Sequence, residues 1–212
     1  MKKRDLLLMC VIALFVFNSI VTHVSALEAI VCIEPLSYTV PEVGVTFTIN
    51  VSIANVTNLY GYEFIVWYNT TLLDGVKVEL PSNHFLTPED PKNKVFTTDD
   101  IKDDFNATHG YVWVIATLTS SEEPPKNGSG VLATITFNAT TTDGPSPLKL
   151  YYPGFAYPVK LSDPDANPIP CTAIDGTVEV IPEFTSFLIM PLLLVLTLAV
   201  IVLKMKCSQR NK

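Results

Sequence analysis

The sequence predicts an all-β sandwich of roughly nine short strands across residues 27–182. Three observations carry that expectation. Apolar residues recur at every second position: in Thr46-Phe47-Thr48-Ile49-Asn50-Val51-Ser52-Ile53, the residues Phe47, Ile49, Val51 and Ile53 alternate with polar neighbours, the pattern of a half-buried strand. Turn chemistry punctuates the runs at Asn58, Asp74-Gly75, Asn127-Gly128-Ser129-Gly130, Asp143-Gly144-Pro145 and Asp175-Gly176, residues that supply positive φ or close local hydrogen bonds. No stretch between 27 and 182 has helical spacing.

Taken in order, the runs 29–34, 46–53, 60–68, 76–80, 111–119, 131–138, 148–152, 155–161 and 173–181 read as strands. In 131–138 the side chains of Val131, Ala133, Ile135 and Phe137 face inward and Asn138 faces out. Tyr111-Val112-Trp113-Val114-Ile115-Ala116 is apolar on both faces, which places it centrally in a sheet. The segment 82–106 is polar and contains proline. It reads as a long loop with at most one short strand near Val95-Phe96.

Two apolar stretches flank this domain. Met1-Lys2-Lys3-Arg4, an apolar run from Leu6 to Phe17 and the small-residue site Val24-Ser25-Ala26 have the order of a secretory signal peptide over residues 1–26. Phe184 to Leu203 is a twenty-residue run without a charge, followed by Lys204, Lys206, Arg210 and Lys212. That length spans a hydrocarbon core of about 30 Å. The basic tail 204–212 marks the cytoplasmic side, so the reading is one transmembrane helix over 183–203 with residues 27–182 outside, at the cell surface.

Charge narrows the partners. Residues 27–182 hold 19 acidic against 7 basic side chains, a net of −12. Such a surface repels phosphate backbones and argues against nucleic acid. Six N-x-S/T sequons lie there, at Asn50, Asn55, Asn69, Asn106, Asn127 and Asn138, all on the exported side and open to glycosylation. Cys32 and Cys171 are the two exported cysteines. They permit a disulfide that would close a long loop and stabilise by up to about 4–5 kcal/mol. The alternative is two buried free thiols.

Little in the sequence reads as catalytic. His84 and His109 are the only histidines beyond the signal segment, and no H-x-x-H or nucleophile-elbow motif accompanies them. Asp99-Asp100-Ile101-Lys102-Asp103-Asp104 and Asp163-Pro164-Asp165-Ala166-Asn167 offer oxygen donors of the kind calcium takes. The second lacks the glycine and distal glutamate of an EF-hand loop, and both read as solvated acidic turns. No metal, cofactor or catalytic residue is assigned. Among the aromatics, Trp67 and Trp113 fall at strand positions expected to pack the core. Tyr151, Tyr152 and Tyr157 are expected to be exposed and form the possible sugar platform.

Three stretches carry a family likeness: Gly44-Val45-Thr46-Phe47-Thr48-Ile49-Asn50-Val51 running on to Tyr60-Gly61, then Gly61-Tyr62-Glu63-Phe64-Ile65-Val66-Trp67-Tyr68-Asn69-Thr70-Thr71-Leu72-Leu73, then Gly128-Ser129-Gly130-Val131-Leu132-Ala133-Thr134-Ile135-Thr136-Phe137. With the closing Asp175-Gly176-Thr177-Val178-Glu179-Val180 they resemble a cohesin domain over residues 33–181. The resemblance implies a nine-stranded jelly roll and a non-catalytic module whose partners are dockerins, small calcium-loaded helical proteins. Relatives on the same fold bind polysaccharide. A glycan on Asn69 or Asn50 would cover part of one face. Pro182-Glu183-Phe184 before the apolar span and basic tail is similar to an archaeal PEF sorting signal, which implies cleavage by a membrane-bound sorting enzyme and attachment to lipid. The expected function is a surface-anchored docking or adhesion module. The alternatives are a carbohydrate-binding sandwich and a structural glycoprotein of the cell envelope.

Overall fold

The computed structural model describes residues 28–142, 144–151, 154, 156–181, 191, 193–201 and 204. Two β-sheets pack face to face. The first holds β11 (Cys171–Ile174), β1 (Ala29–Glu34), β3 (Thr46–Leu59), β8 (Lys126–Ala139) and β5 (Leu73–Glu79), in that spatial order. The second holds β2 (Ser37–Val40), β12 (Gly176–Val180), β9 (Pro145–Leu150), β4 (Gly61–Asn69), β7 (His109–Leu118) and β6 (Val95–Lys102). The short β10 (Lys160–Ser162) also pairs with β4.

The period-two pattern decides which side chains meet between the layers. β4 sends Tyr62, Phe64, Val66 and Tyr68 inward, and β7 sends Val112, Val114, Ala116 and Leu118. From the first sheet come Phe47, Ile49, Val51 and Ile53 of β3, with Ala133, Ile135 and Phe137 of β8. Phe137 stacks on Phe47 at 5.9 Å and meets Tyr68 edge-on at 5.0 Å, the offset geometries that aromatic quadrupoles favour. Each large apolar side chain buried here stabilises the sandwich by about 1.5–3 kcal/mol.

The described residues contain twelve strands, where the sequence predicts nine. Three additions account for this: β2, β6 and the division of the run 173–181. The run 173–181 is two strands: β11 lies in the first sheet and β12 in the second. The chain crosses at Asp175, whose carboxylate accepts from Leu150 N at 2.9 Å. Gly176 lies so close to Ile33 that a Cβ there would approach its Cγ2 to 2.7 Å. The chain start makes the same crossing between β1 and β2, so β1 runs parallel to β11 and β2 parallel to β12. β6 begins where a short strand is expected, at Val95-Phe96, and extends to Lys102 over ground expected to be loop. It is an edge strand and most of its side chains are exposed, so it has no buried face to impose alternation. Of the strand expected over 155–161, residues 156–159 are bends and β10 begins at Lys160, while residue 155 lies outside the described residues.

Trp67 and Trp113 also depart from expectation. Both lie on the outer face of the second sheet, between inward-facing neighbours. The expected signal segment 1–26 and the Pro182-Glu183-Phe184 motif lie outside the described residues. Of the expected span 183–203, residues 191 and 193–201 are helical and exposed. Among the described residues no helix is long and apolar enough to cross a membrane.

Candidate functional site

The outer face of the second sheet is where sequence alternation leaves large side chains uncovered. β4 presents Glu63, Ile65, Trp67 and Asn69 outward; β7 presents Tyr111, Trp113, Ile115 and Thr117. Antiparallel register sets Glu63 opposite Ile115, Ile65 opposite Trp113, Trp67 opposite Tyr111 and Asn69 opposite His109. Opposed residues on one face are close enough to act as a unit. β6 adds Thr98 beside Ile115, Asp100 beside Trp113 and Lys102 beside Tyr111.

Hydrogen bonds hold this surface in place. Trp113 Nε1 donates to Glu63 Oε1 at 2.9 Å, and Lys160 Nζ pairs with Glu63 Oε2 at 3.0 Å. Trp67 Nε1 donates to the Tyr151 carbonyl at 2.9 Å. Beside Ile115 a groove of about 360 Å³ opens, lined by Gly61, Glu63, Thr117, Lys160 and Ser162 among others. Gly61 fits the groove floor because a Cβ there would come within 3.0 Å of Thr117 Oγ1 and 3.2 Å of Ser162 Oγ. The face therefore carries an apolar centre of Ile65, Trp113 and Ile115, a buttressed carboxylate–ammonium pair on one flank, and Asp100 of β6 on the other.

A sequence profile of the cohesin domain family matches residues 37–180. The chain belongs to the cohesin family. The module of this family is a non-catalytic docking domain, so the chain is not an enzyme. Solved cohesins share its fold. The third cohesin of ScaC from Acetivibrio cellulolyticus, solved in complex with the ScaB dockerin, superposes with a TM-score of 0.55 at 14% identity, covering 73% of this chain and 100% of that one. The OlpA cohesin in a type I cohesin–dockerin complex from Clostridium thermocellum gives 0.53 at 18% identity, covering 73% and 99%. A type II cohesin domain from the Acetivibrio cellulolyticus cellulosome gives 0.54 at 16%, covering 71% and 94%. No match is found among curated proteins.

The six sequons of this cohesin sort by position. Asn50 and Asn138 sit on the outer face of the first sheet, half-buried, with Asn50 Oδ1 accepting from Thr134 Oγ1 at 2.8 Å. Asn55 and Asn127 are exposed and close together at one end: Asn55 N donates to Ser129 Oγ, and Asn58 N to Asn127 Oδ1. Asn69 and Asn106 lie at the other end, joined by a bond from Thr70 N to Thr108 O at 3.0 Å. None falls among the outward residues between Glu63 and Trp67 of β4, or on β6, or within β7.

The expected disulfide is not formed. Cys32 and Cys171 are both free. Cys171 pairs in register with Ala29, while Cys32 sits opposite Ile174, so the two lie three residues apart along paired strands, beyond disulfide reach. They also point to opposite sides. Cys171 is buried and its Sγ donates to the Val159 carbonyl at 3.4 Å, whereas Cys32 lies on the outer face beside Ser52 and Glu34. Burial pushes the Cys171 thiol up to about 11.

Of the possible sugar platform, Tyr151 is exposed at the end of β9, Tyr157 is half-buried and packs against the core, and Tyr152 lies outside the described residues. The aromatics that do gather are Trp67, Tyr111 and Phe105, with ring centroids 4.9–5.7 Å apart and planes at 63–71°. The acidic turns are structural. Asp163 accepts from Asp165 N, Asn167 N and Asn167 Nδ2 at 2.8–3.1 Å, and Asp103 accepts from Tyr68 Oη and Gly75 N. Among the described residues no cluster of three or more metal-ligating side chains exists. The missed aromatic face was signalled by the Glu-x-Ile-x-Trp and Tyr-x-Trp-x-Ile alternations, hidden because their inward partners are equally apolar.

Proposed function

We propose that this cohesin docks a dockerin-type protein on the outer face of β4, β7 and β6, centred on Ile65, Trp113 and Ile115. The observation that carries the reading is a rigid apolar patch at the centre of a sheet face bearing no sequon between Glu63 and Trp67 or on the facing stretch of β7. Fixed aromatic and aliphatic side chains ringed by charge are the composition of interface hot spots. The carboxylate of Asp100 beside Trp113 and that of Glu63 suit a partner with basic side chains flanking an apolar stripe. The neighbouring rings of Trp67, Phe105 and Tyr111 stand edge to face, which gives a polysaccharide strand no flat platform, so the protein partner is the better-supported reading.

The reading includes display at the cell surface, supported by the charged and apolar order of residues 1–26, the uncharged run 184–203 and its basic tail. Pro182-Glu183-Phe184 is the proposed sorting motif. A peptide ending beyond Phe184 in the mature protein, detected by mass spectrometry, would argue for a retained helix rather than cleavage. The docking reading is tested by capture on an immobilised panel of dockerins. Retention of the wild-type chain by at least one dockerin, and loss of that retention in Trp113→Ala, is the expected outcome. Equal retention of wild type and variant would refute the assignment of the face.

A further inference from the structure

The sequons at Asn69 and Asn106 stand beside an exposed aromatic cluster. Phe105, in the turn between β6 and β7, is 48% exposed. It folds back onto the second sheet with its ring 4.9 Å from Trp67 and 5.4 Å from Tyr111. Asn106 follows it directly and is exposed. The Asn106 Oδ1 accepts from Thr108 N at 3.0 Å, His109 N at 2.9 Å and Thr108 Oγ1 at 3.4 Å. The carboxamide is thus oriented by its oxygen, and its Nδ2 is turned away from those donors. Asn69 repeats the arrangement: its Oδ1 accepts from Thr71 N at 2.9 Å and Thr71 Oγ1 at 2.8 Å. It lies two residues beyond Trp67 on the same outer face. The Thr70–Thr108 backbone bond makes the two sequons neighbours.

An exposed Phe105 backed by the half-buried Trp67 and Tyr111 leaves apolar surface that an occupant can cover. Here two attachment points for one class of ligand flank it. A pyranose presents a face of axial C–H bonds that packs on an aromatic ring; Phe105, 48% exposed, offers a surface for one such sugar, although the edge-to-face rings give no platform to a longer strand.

We propose that Trp67, Phe105 and Tyr111 form a seat for the first sugar of a saccharide attached at Asn106. Attachment joins Asn106 Nδ2 to the anomeric carbon of a sugar supplied on a phosphate-linked donor. The N–C bond forms as the bond from that carbon to the phosphate oxygen breaks; the amide loses one proton, the phosphate leaves with the bonding electron pair, and nothing is oxidised. The seated sugar covers the cluster and closes the Trp67 end of the face, leaving the Ile65–Trp113–Ile115 end open. The inference goes beyond the docking reading and does not require it, because it is read from attachment and stability and not from partner binding.

The test uses the full chain made in a host with N-glycosylation machinery and in one without. Glycopeptide mass spectrometry is expected to find the saccharide on Asn106, and the modified protein to unfold about 2–4 °C higher. Thr71→Ala, which removes the Asn69 sequon, is expected to keep that gain; Thr108→Ala, compared between the same two hosts, is expected to lose it. Phe105→Ala is expected to keep the saccharide and lose the gain. If Phe105→Ala does not fold, acrylamide quenching in Trp113→Phe decides, since Trp67 is then the only tryptophan and is expected to be better shielded in the modified protein. An unmodified Asn106, a gain unchanged by loss of Phe105, or equal quenching of Trp67 in both forms would overturn the proposal.

Discussion

The Trp113 indole donates to the Glu63 carboxylate across the β4–β7 ladder at 2.9 Å. The bond holds a large outward-facing ring flat against its neighbour strand, and Lys160 fixes the other carboxylate oxygen. Pre-organised aromatic side chains lose little entropy on binding. Glu63→Ala is expected to lower stability by about 1.5–3 kcal/mol in urea unfolding, the usual cost of a hydrogen bond to a charged group. It is also expected to increase acrylamide quenching of tryptophan fluorescence as Trp113 is released. Unchanged quenching would show that Glu63 does not position the ring.

A second bond ties the layers together. Tyr68 of the second sheet and Gly75 N of the first both donate to Asp103. The space around the phenol is tight. A Cβ on Gly110 would come within 2.6 Å of the Lys102 carbonyl and 2.8 Å of Tyr68. Tyr68→Phe is expected to cost about 1–3 kcal/mol, and Gly110→Ala about 1–3 kcal/mol by overpacking. Chemical denaturation of the two variants checks both values.

Acid should loosen the loop beside β6 before it unfolds the sandwich. Burial holds the half-buried His84 below its ordinary value of 6.5, so its neutral form is favoured in the folded chain. The stability this gives is present above pH 6.5 and declines as pH falls through the folded-state value. Glu123 is held below its ordinary value of 4.5 chiefly by the Asn93 amide, with Glu89 N and Lys126 adding to it. Its contribution is present above pH 4.5 and is lost below that. Thermal unfolding from pH 7.5 to 4 is expected to show a falling midpoint, and His84→Gln to flatten the upper part of that fall.

Cys32 and Cys171 are expected to remain thiols in the folded protein. Burial and then the Glu34 charge raise Cys32, and burial raises Cys171 further from reach. Alkylation at pH 8 without reductant is expected to label Cys32 slowly and Cys171 only after unfolding. A peptide linking the two in a non-reduced digest would contradict the register described above.

Much of the fold is legible in the residues because one face of most strands is buried. β3 alternates cleanly over 46–53 and its inward side chains follow from position alone; β8 does so from Ala133 onward, while a register shift puts Leu132 and not the expected Val131 in the core. The legible part ends where burial ceases to be one-sided. β6 has no buried face to pattern it, and the segment 173–181 reads as one run because apolar residues continue on both sides of Asp175-Gly176, whose turn chemistry marks the change of sheet. Trp67 and Trp113 were hidden for a different reason. Large aromatics are usually buried, and only register reveals that Tyr62, Phe64 and Val66 already fill the inner side of β4. The cysteine pair was misleading because chemical eligibility says nothing about which face a strand residue occupies.

The most direct test places one negative charge on each face of the sandwich. Ile115→Asp alters the apolar centre of the second sheet. Thr48→Asp alters an exposed position of β3 on the first. For a dockerin retained by the wild-type chain, calorimetric titration is expected to show affinity reduced by about 30-fold or more in Ile115→Asp, the loss of a hot-spot contact, and unchanged in Thr48→Asp. Full affinity in Ile115→Asp together with loss in Thr48→Asp would assign docking to the opposite sheet and contradict the account.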